Sequence, residues 1–192
     1  MVFGVFSLLE KIIYMSYILG FAGSNSSTSI NYKLVRYTAS LITQQELRLI
    51  NLSNYPFPMY SEDYEKEHGF SNELVAFKED IQKASGIIIA VNEHNSNPSA
   101  YFKNLVDWLS RVDKDFIRDQ KVFLMATSGG KRGAQSSLEI SEKLLSRFGA
   151  LVTDTFSLPS FSDNFDMGKG ILNAQLASEH SEKVQAFLDA IR

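Results

Sequence analysis

Gly86-Ile87-Ile88-Ile89-Ala90-Val91, running into Asn92-Glu93-His94-Asn95-Ser96-Asn97-Pro98-Ser99, is the stretch on which the fold reading turns. Its first six residues are apolar or small without alternation, the pattern of a strand covered on both faces. No other strand-like run in the chain is as apolar, so this one belongs at the centre of a sheet. It then opens at once into polar residues.

The flanking chain repeats the same logic. Upstream, Tyr17–Ala22 (YILGFA) reads as a second two-sided strand. Ser29–Thr43 has helical spacing through Ile30, Leu34, Val35, Thr38, Leu41 and Ile42, and Glu46–Leu52 alternates like a strand. Asn72–Ala84 is an amphipathic helix with Leu74, Phe77 and Ile81 inward. Downstream come a helix at Ser99–Val112, a strand at Lys121–Thr127, a helix at Ala134–Phe148 stopped by Gly149, a strand at Leu151–Phe156 and a closing helix at Ala174–Ile191. Strands alternating with helices imply right-handed crossovers and an α/β fold, a three-layer sandwich around a five-stranded parallel sheet. The expected strand order is 2-1-3-4-5, the flavodoxin-like arrangement, with its switch point between strands one and three. Ser53–Ser71 reads as an irregular connection containing Pro56, Pro58 and the charged run SEDYEKEH.

Composition narrows the function. The 192 residues carry 19 Lys plus Arg, 22 Asp plus Glu and no Cys, with 44% hydrophobic residues. One domain accounts for that length, and a net charge of -3 without a basic stripe gives no nucleic-acid face. Without Cys there is no disulfide, thiolate metal site or thiol nucleophile, and His68, His94 and His180 are too scattered for a metal cluster. No apolar run approaches the roughly 18 residues of a membrane span. Residues 1–16 (MVFGVFSLLEKIIYMS) lack a basic leader and a small-residue cleavage site, so a signal peptide is not expected and the domain is taken as 17–192, cytoplasmic. The stretch reads as an extension, either a start-site artefact upstream of Met15 or a short helix packed on the domain.

Ligands of an open parallel sheet sit beyond the strands' carboxyl ends. After the first strand, seven of the eight residues from Ser24 to Asn31 are Ser, Thr or Asn, where a single helix cap needs one. Neutral donors beside free helix N–H groups suit a phosphate dianion. Neither GxGxxG nor GxxxxGK[ST] is present. After the third strand, Glu93 and His94 could act in acid–base chemistry or simply form a capping turn. After the fourth, Ser128-Gly129-Gly130-Lys131-Arg132-Gly133 could bring backbone close to a flat ligand or form a flexible turn.

With these ends in this order, the chain resembles the NADPH-dependent FMN reductase family, the flavodoxin-like group that includes chromate- and quinone-reducing enzymes. The family pattern G-S-x-R-x-x-S-x-N stands here as Gly23-Ser24-Asn25-Ser26-Ser27-Thr28-Ser29-Ile30-Asn31. P-E-Y-N-G-S-x-P, then L-K-N-x-x-D-W, stands as Asn92 to Pro98, then Phe102-Lys103-Asn104-Leu105-Val106-Asp107-Trp108. Ser128-Gly129-Gly130 matches the third pattern, and Tyr55-Pro56-Phe57-Pro58 also fits. Ser26 replaces the motif Arg, Ser96 replaces Gly, and Pro98 comes one position early.

The resemblance implies FMN, with NADPH or NADH as co-substrate. Ser24, Ser26, Ser29, Ile30 and Asn31 would hold the phosphate. Glu93, His94, Asn95 and Ser96 would line the isoalloxazine ring, mainly through backbone, and Ser128, Gly129 and Gly130 would close over its other side. Hydride would pass from nicotinamide to flavin N5 and on to a quinone, free flavin or other small acceptor, with no catalytic side chain and no metal. The alternative is a flavodoxin-type electron carrier that does not itself oxidise nicotinamide. Helix 99–112 has an apolar face widened by Tyr101, Trp108 and Val112. That breadth fits either deep burial or a homodimer or homotetramer surface, and the resemblance favours the assembly.

Overall fold

The computed structural model describes residues 17–192, so the reading of residues 1–16 lies outside it. The elements run β1 (Tyr17–Ala22), α1 (Ile30–Ser40), β2 (Glu46–Ile50), α2 (Glu62–His68), α3 (Asn72–Lys83) and β3 (Gly86–Val91). A hairpin of two-residue strands follows, β4 (Glu93–His94) and β5 (Asn97–Pro98). Then come α4 (Ala100–Val112), β6 (Lys121–Thr127), α5 (Gln135–Arg147), β7 (Leu151–Leu158), the single turn α6 (Phe161–Asn164), a small ribbon of β8 (Phe165–Asp166) and β9 (Gly170–Ile171), and α7 (Ala174–Ala190).

Five strands form one sheet in the order β2-β1-β3-β6-β7, each neighbouring pair parallel. This is the expected 2-1-3-4-5 order, with β6 and β7 as its fourth and fifth members. Every residue of β3 is buried. Side chains alternate along a strand, so β3 feeds two cores. Ile87, Ile89 and Val91 pack with Phe77 and Ile81 of α3 and Leu105 of α4 on one face. Ile88 and Ala90 pack with Leu34 and Val35 of α1 and Phe187 of α7 on the other. At one edge of the sheet the register slips between Val122 and Phe123, where Thr153 bulges and its hydroxyl donates to the Val122 carbonyl.

The connection 53–71 is more ordered than its composition suggested. A 3-10 turn spans Leu52–Asn54, and SEDYEKEH folds as α2. The reason is local. Ser61 caps the Tyr64 N–H, acids occupy the first turn, and Lys66 and His68 occupy the last, complementing the helix dipole.

This connection also explains the wide apolar face of α4. Trp108 is 3% exposed, with Tyr60, Tyr64 and Phe70 edge-on around it. Tyr101 donates to the Leu52 and Tyr55 carbonyls. The extra breadth is consumed inside the chain, which corrects the argument that it signals a subunit surface. Among the described residues, no helix is long and apolar enough to cross a membrane.

Candidate active site

At the carboxyl end of β1, Gly23 prolongs the sheet by donating to the Ala90 carbonyl, while its own carbonyl accepts from the Ser99 hydroxyl. A Cβ there would lie 2.4 Å from the Phe102 ring, so only glycine lets β1 and α4 approach this closely. The loop that follows folds on itself. Ser24 Oγ accepts from the Ser26 N–H, Ser26 Oγ accepts from the Thr28 N–H and pairs with the Thr28 hydroxyl, and Ser29 Oγ caps α1 through the Tyr32 N–H. In Ser24 and Ser29 these bonds use the oxygen and leave the hydroxyl hydrogen to donate. The N–H groups of Ile30 and Asn31 precede the first in-helix acceptor, and the first turn of α1 contains no acid.

Asn31 behaves differently from its expected role as a phosphate contact. Its carboxamide is buried and bonded at both ends, Nδ2 donating to the Thr127 carbonyl and Oδ1 accepting from the Thr127 N–H. It bolts the start of α1 to the end of β6, and its backbone N–H remains for an anion.

The residues after β3 form a tight hairpin. Asn95 and Ser96 have φ values of 52° and 60°, the left-handed pair a two-residue turn of type I′ requires. His94, Asn95 and Ser96 are exposed on it. The Glu93 carboxylate turns away to accept from the Ser137 N–H, and the Asn92 carbonyl accepts from the Ser137 hydroxyl. Glu93 thereby caps α5, whose own N-cap, Ala134, lies at φ 65° and offers no side-chain bond. Any contact Glu93 makes toward the strand end is through its backbone.

After β6, Ser128 Oγ accepts from the Gly130 N–H, and Gly129 and Gly130 are exposed, with open space where Gly129 would carry a Cβ. The turn is tied to the next strand's loop, since the Ser128 carbonyl accepts from Phe161 N–H and the Gly130 carbonyl from Ser160 N–H.

A cavity of about 520 Å³ opens over the ends of β1 and β3, at the switch point. Of the residues expected at the site, it brings together Ser24, Ser26 and His94, with Asn25 and Asn92 beside them. Ser29, Ile30, Asn31, Glu93, Asn95, Ser96, Ser128, Gly129 and Gly130 are outside its lining. The rest of the wall was missed from the sequence: Phe57 and Met59 from the connection after β2, Ser99 at the N-cap of α4, and Ala100, Tyr101 and Asn104 from α4 itself. The available signal was position, because Tyr55-Pro56-Phe57-Pro58 leaves the carboxyl end of a sheet strand. Burial raises the Tyr101 phenol well above its ordinary range, so it stays a neutral hydrogen-bond donor.

The lining contains no carboxylate, and the neighbouring α1 N-terminus presents the positive end of its dipole. Asn92 Oδ1, buried at this wall, has no hydrogen-bond partner among the described residues. Donors without acids suit the phosphate end of an anionic cofactor, and the apolar wall suits a flat ring.

Residues 16–163 match the family model described as NADPH-dependent FMN reductase. The chain belongs to the NADPH-dependent FMN reductase family. It is therefore an oxidoreductase of the kind that couples a nicotinamide nucleotide to FMN. The MG342 homolog of Mycoplasma pneumoniae, an uncharacterized protein, is 28% identical over 158 residues, covering 79% of this chain and 92% of that one. A quinone reductase of Escherichia coli is 33% identical over 76 residues, 40% of each chain. An NADPH:quinone oxidoreductase of Arabidopsis thaliana is 28% identical over 125 residues, 63% of this chain and 62% of its own. Among solved structures, the flavoenzyme NAD(P)H:(acceptor) oxidoreductase FerB of Paracoccus denitrificans superposes with a TM-score of 0.74 at 20% identity, covering 92% of this chain and 97% of FerB. Flavodoxin 1 of Bacillus cereus reaches 0.56 at 14% identity, covering 91% and 97%. At these identities the two structures establish a shared flavodoxin-like fold.

Proposed function

We propose that this chain is an NAD(P)H oxidoreductase that holds FMN along the carboxyl edge of its sheet and reduces a quinone, free flavin or other small acceptor. The observation that carries the reading is the carboxylate-free cavity at the switch point, set against the acid-free N-terminus of α1. Ser24, Ser26 and Ser29, with the N–H groups of Ile30 and Asn31, would receive the phosphate. Ser26 in place of the motif Arg leaves that cradle uncharged. The backbone of Glu93 to Ser96 and of Ser128 to Gly130 would edge the ring. When bound, FMN supplies two-electron chemistry, taking hydride from a nicotinamide and giving it to the acceptor. The protein's own part is to hold the reactants at near-attack distance and to keep water out.

On the same reading the protein is cytoplasmic and forms a homodimer or homotetramer through helix 99–112. A size-exclusion profile showing only monomer would remove that assembly. The cofactor reading is tested by adding FMN to the purified chain and then NADPH without oxygen. Tight uptake followed by bleaching of the flavin band is expected. Uptake without bleaching would leave the electron-carrier alternative, and no uptake would end both.

A further inference from the structure

The segment Tyr55–Tyr60 passes over the cavity as a strap, and its fastening is unusual. Pro56 and Pro58 have no N–H, and the Phe57 N–H is spent on the Tyr55 carbonyl two residues back, so the strap cannot join a strand ladder. Tyr55, Phe57 and Tyr60 rest against the core around α4, with open space on the strap's other sides. Phe57 borders the 520 Å³ cavity on one side and spaces of about 140 and 340 Å³ on others. Its backbone is held by one row of side chains on α4, while the Tyr60 hydroxyl donates to Glu65 of α2. Asn104 Nδ2 and Trp108 Nε1 both donate to the Pro58 carbonyl, at 2.9 and 2.8 Å. Asn104 Oδ1 accepts from the Tyr60 N–H at 2.7 Å, and the Tyr101 hydroxyl donates to the Tyr55 carbonyl at 2.8 Å. Asn104 is buried, so both ends of its carboxamide are committed. Between the three clamped residues, Tyr55, Pro58 and Tyr60, stand Phe57 and Met59, both lining the cavity, with Met59 69% exposed.

We propose that Phe57 and Met59 are the acceptor-selecting residues of the site, an apolar ceiling for a planar quinone, and that Asn104 and Trp108 are the positioning residues that set its height. This rests on the oxidoreductase reading but concerns a different part of the cavity. The strap lines the same cavity as the polar loop but supplies none of the proposed phosphate donors. A polarizable thioether and an aromatic ring complement a flat apolar ring system with little directional demand. Because the strap's backbone is tethered by side-chain hydrogen bonds and not by a strand ladder, loss of one clamp lets the ceiling shift without disturbing the sheet.

The test uses the full chain with a soluble naphthoquinone as probe. Trp108 is the only tryptophan and sits against the Pro58 carbonyl, so its emission reports both strap docking and quinone binding. Asn104→Leu should red-shift that emission and weaken quinone binding to the apoprotein. In the FMN-loaded enzyme it should raise the quinone KM about tenfold while kcat and FMN affinity stay within about twofold. Met59→Ser, at an exposed position that folding does not need, should raise KM similarly with the emission unmoved. Quinone affinity and KM unchanged in both variants would overturn the proposal, as would FMN affinity falling in step with KM. Failure of the wild type to take up FMN would defeat the oxidoreductase reading alone, because quenching of Trp108 by the quinone still measures the ceiling in the apoprotein.

Discussion

At single residues, two buried polar groups show how differently a side chain can be used from what its neighbours in sequence suggest. Asn31 sits in a run of phosphate-type donors, yet its carboxamide closes both hydrogen bonds on Thr127. Asn31→Ala should cost about 2–4 kcal/mol, since it leaves a buried N–H and C=O unpaired; chemical denaturation measures this, and a change below about 1 kcal/mol would refute the clamp. Ser24→Ala, by contrast, should leave stability nearly unchanged and weaken FMN binding by roughly tenfold or more, the worth of a hydrogen bond to a charged group. Flavin-fluorescence titration decides between them. His180 is fully buried, with its ring against Phe156 and Phe123. The Thr38 hydroxyl donates to the Leu34 carbonyl, so its oxygen accepts from His180 Nε2–H. That leaves Nδ1 as a bare acceptor among the described residues. Burial lowers the imidazole pKa from 6.5 to about 4. The unfolded chain therefore binds the extra proton between those values. Stability is whole above pH about 6.5 and declines as pH falls toward about 4, by about 3 kcal/mol in all. His180→Leu should flatten that part of the stability–pH curve, and an unchanged slope would show that another group sets it.

At the scale of elements, α5 depends on its neighbours for its start. Ala134 supplies no cap, and the Glu93 carboxylate does so from the far side of a loop. Glu93→Ala should lower the unfolding free energy by about 1 kcal/mol, as loss of a helix cap does. Full thermal stability in that variant would mean that water replaces the carboxylate without loss. The turn before α5 is more sensitive. A Cβ on Gly133 would meet Ser157 Oγ at 2.2 Å and the Pro159 nitrogen at 3.0 Å, at a φ of 60°. Gly133→Ala should destabilise by roughly 2–4 kcal/mol, read from the denaturant midpoint. These cases mark what the sequence could disclose. The strands were legible because two-sided burial leaves an uninterrupted apolar run, as in GIIIAV; the crossover rule made them parallel, and their order was that of the flavodoxin-like arrangement. The Ser/Thr/Asn loop was legible because its polarity exceeds what one cap needs. The hairpin at 93–98 was not, since Asn95-Ser96 lacks the glycine that usually announces a primed turn. Helix α2 was hidden in a charged run that lacks an apolar stripe. The strap, the Asn31 clamp and the Glu93 cap are contacts between residues 44 to 96 positions apart, and no local pattern encodes them.

For the whole molecule, binding and folding are linked. FMN at about a hundred times its dissociation constant should add about 2.7 kcal/mol to stability and raise Tm by roughly 5–10 °C. A melting curve indifferent to FMN would contradict a site built from the native strand ends. Those ends are fastened to one another all along the edge. Ser99 is tied to Gly23, Asn31 to Thr127, Glu93 to Ser137, and Ser128 and Gly130 to the loop after β7. The strap crosses the cavity outside that network, its backbone tethered by side chains of α4 and its Tyr60 hydroxyl donating to Glu65 of α2. The bed and its cover can therefore diverge separately in descent. Drift within 55–60 alters which oxidant the enzyme prefers at small cost to the rest, and exchanging that hexapeptide between relatives should carry the preference with it.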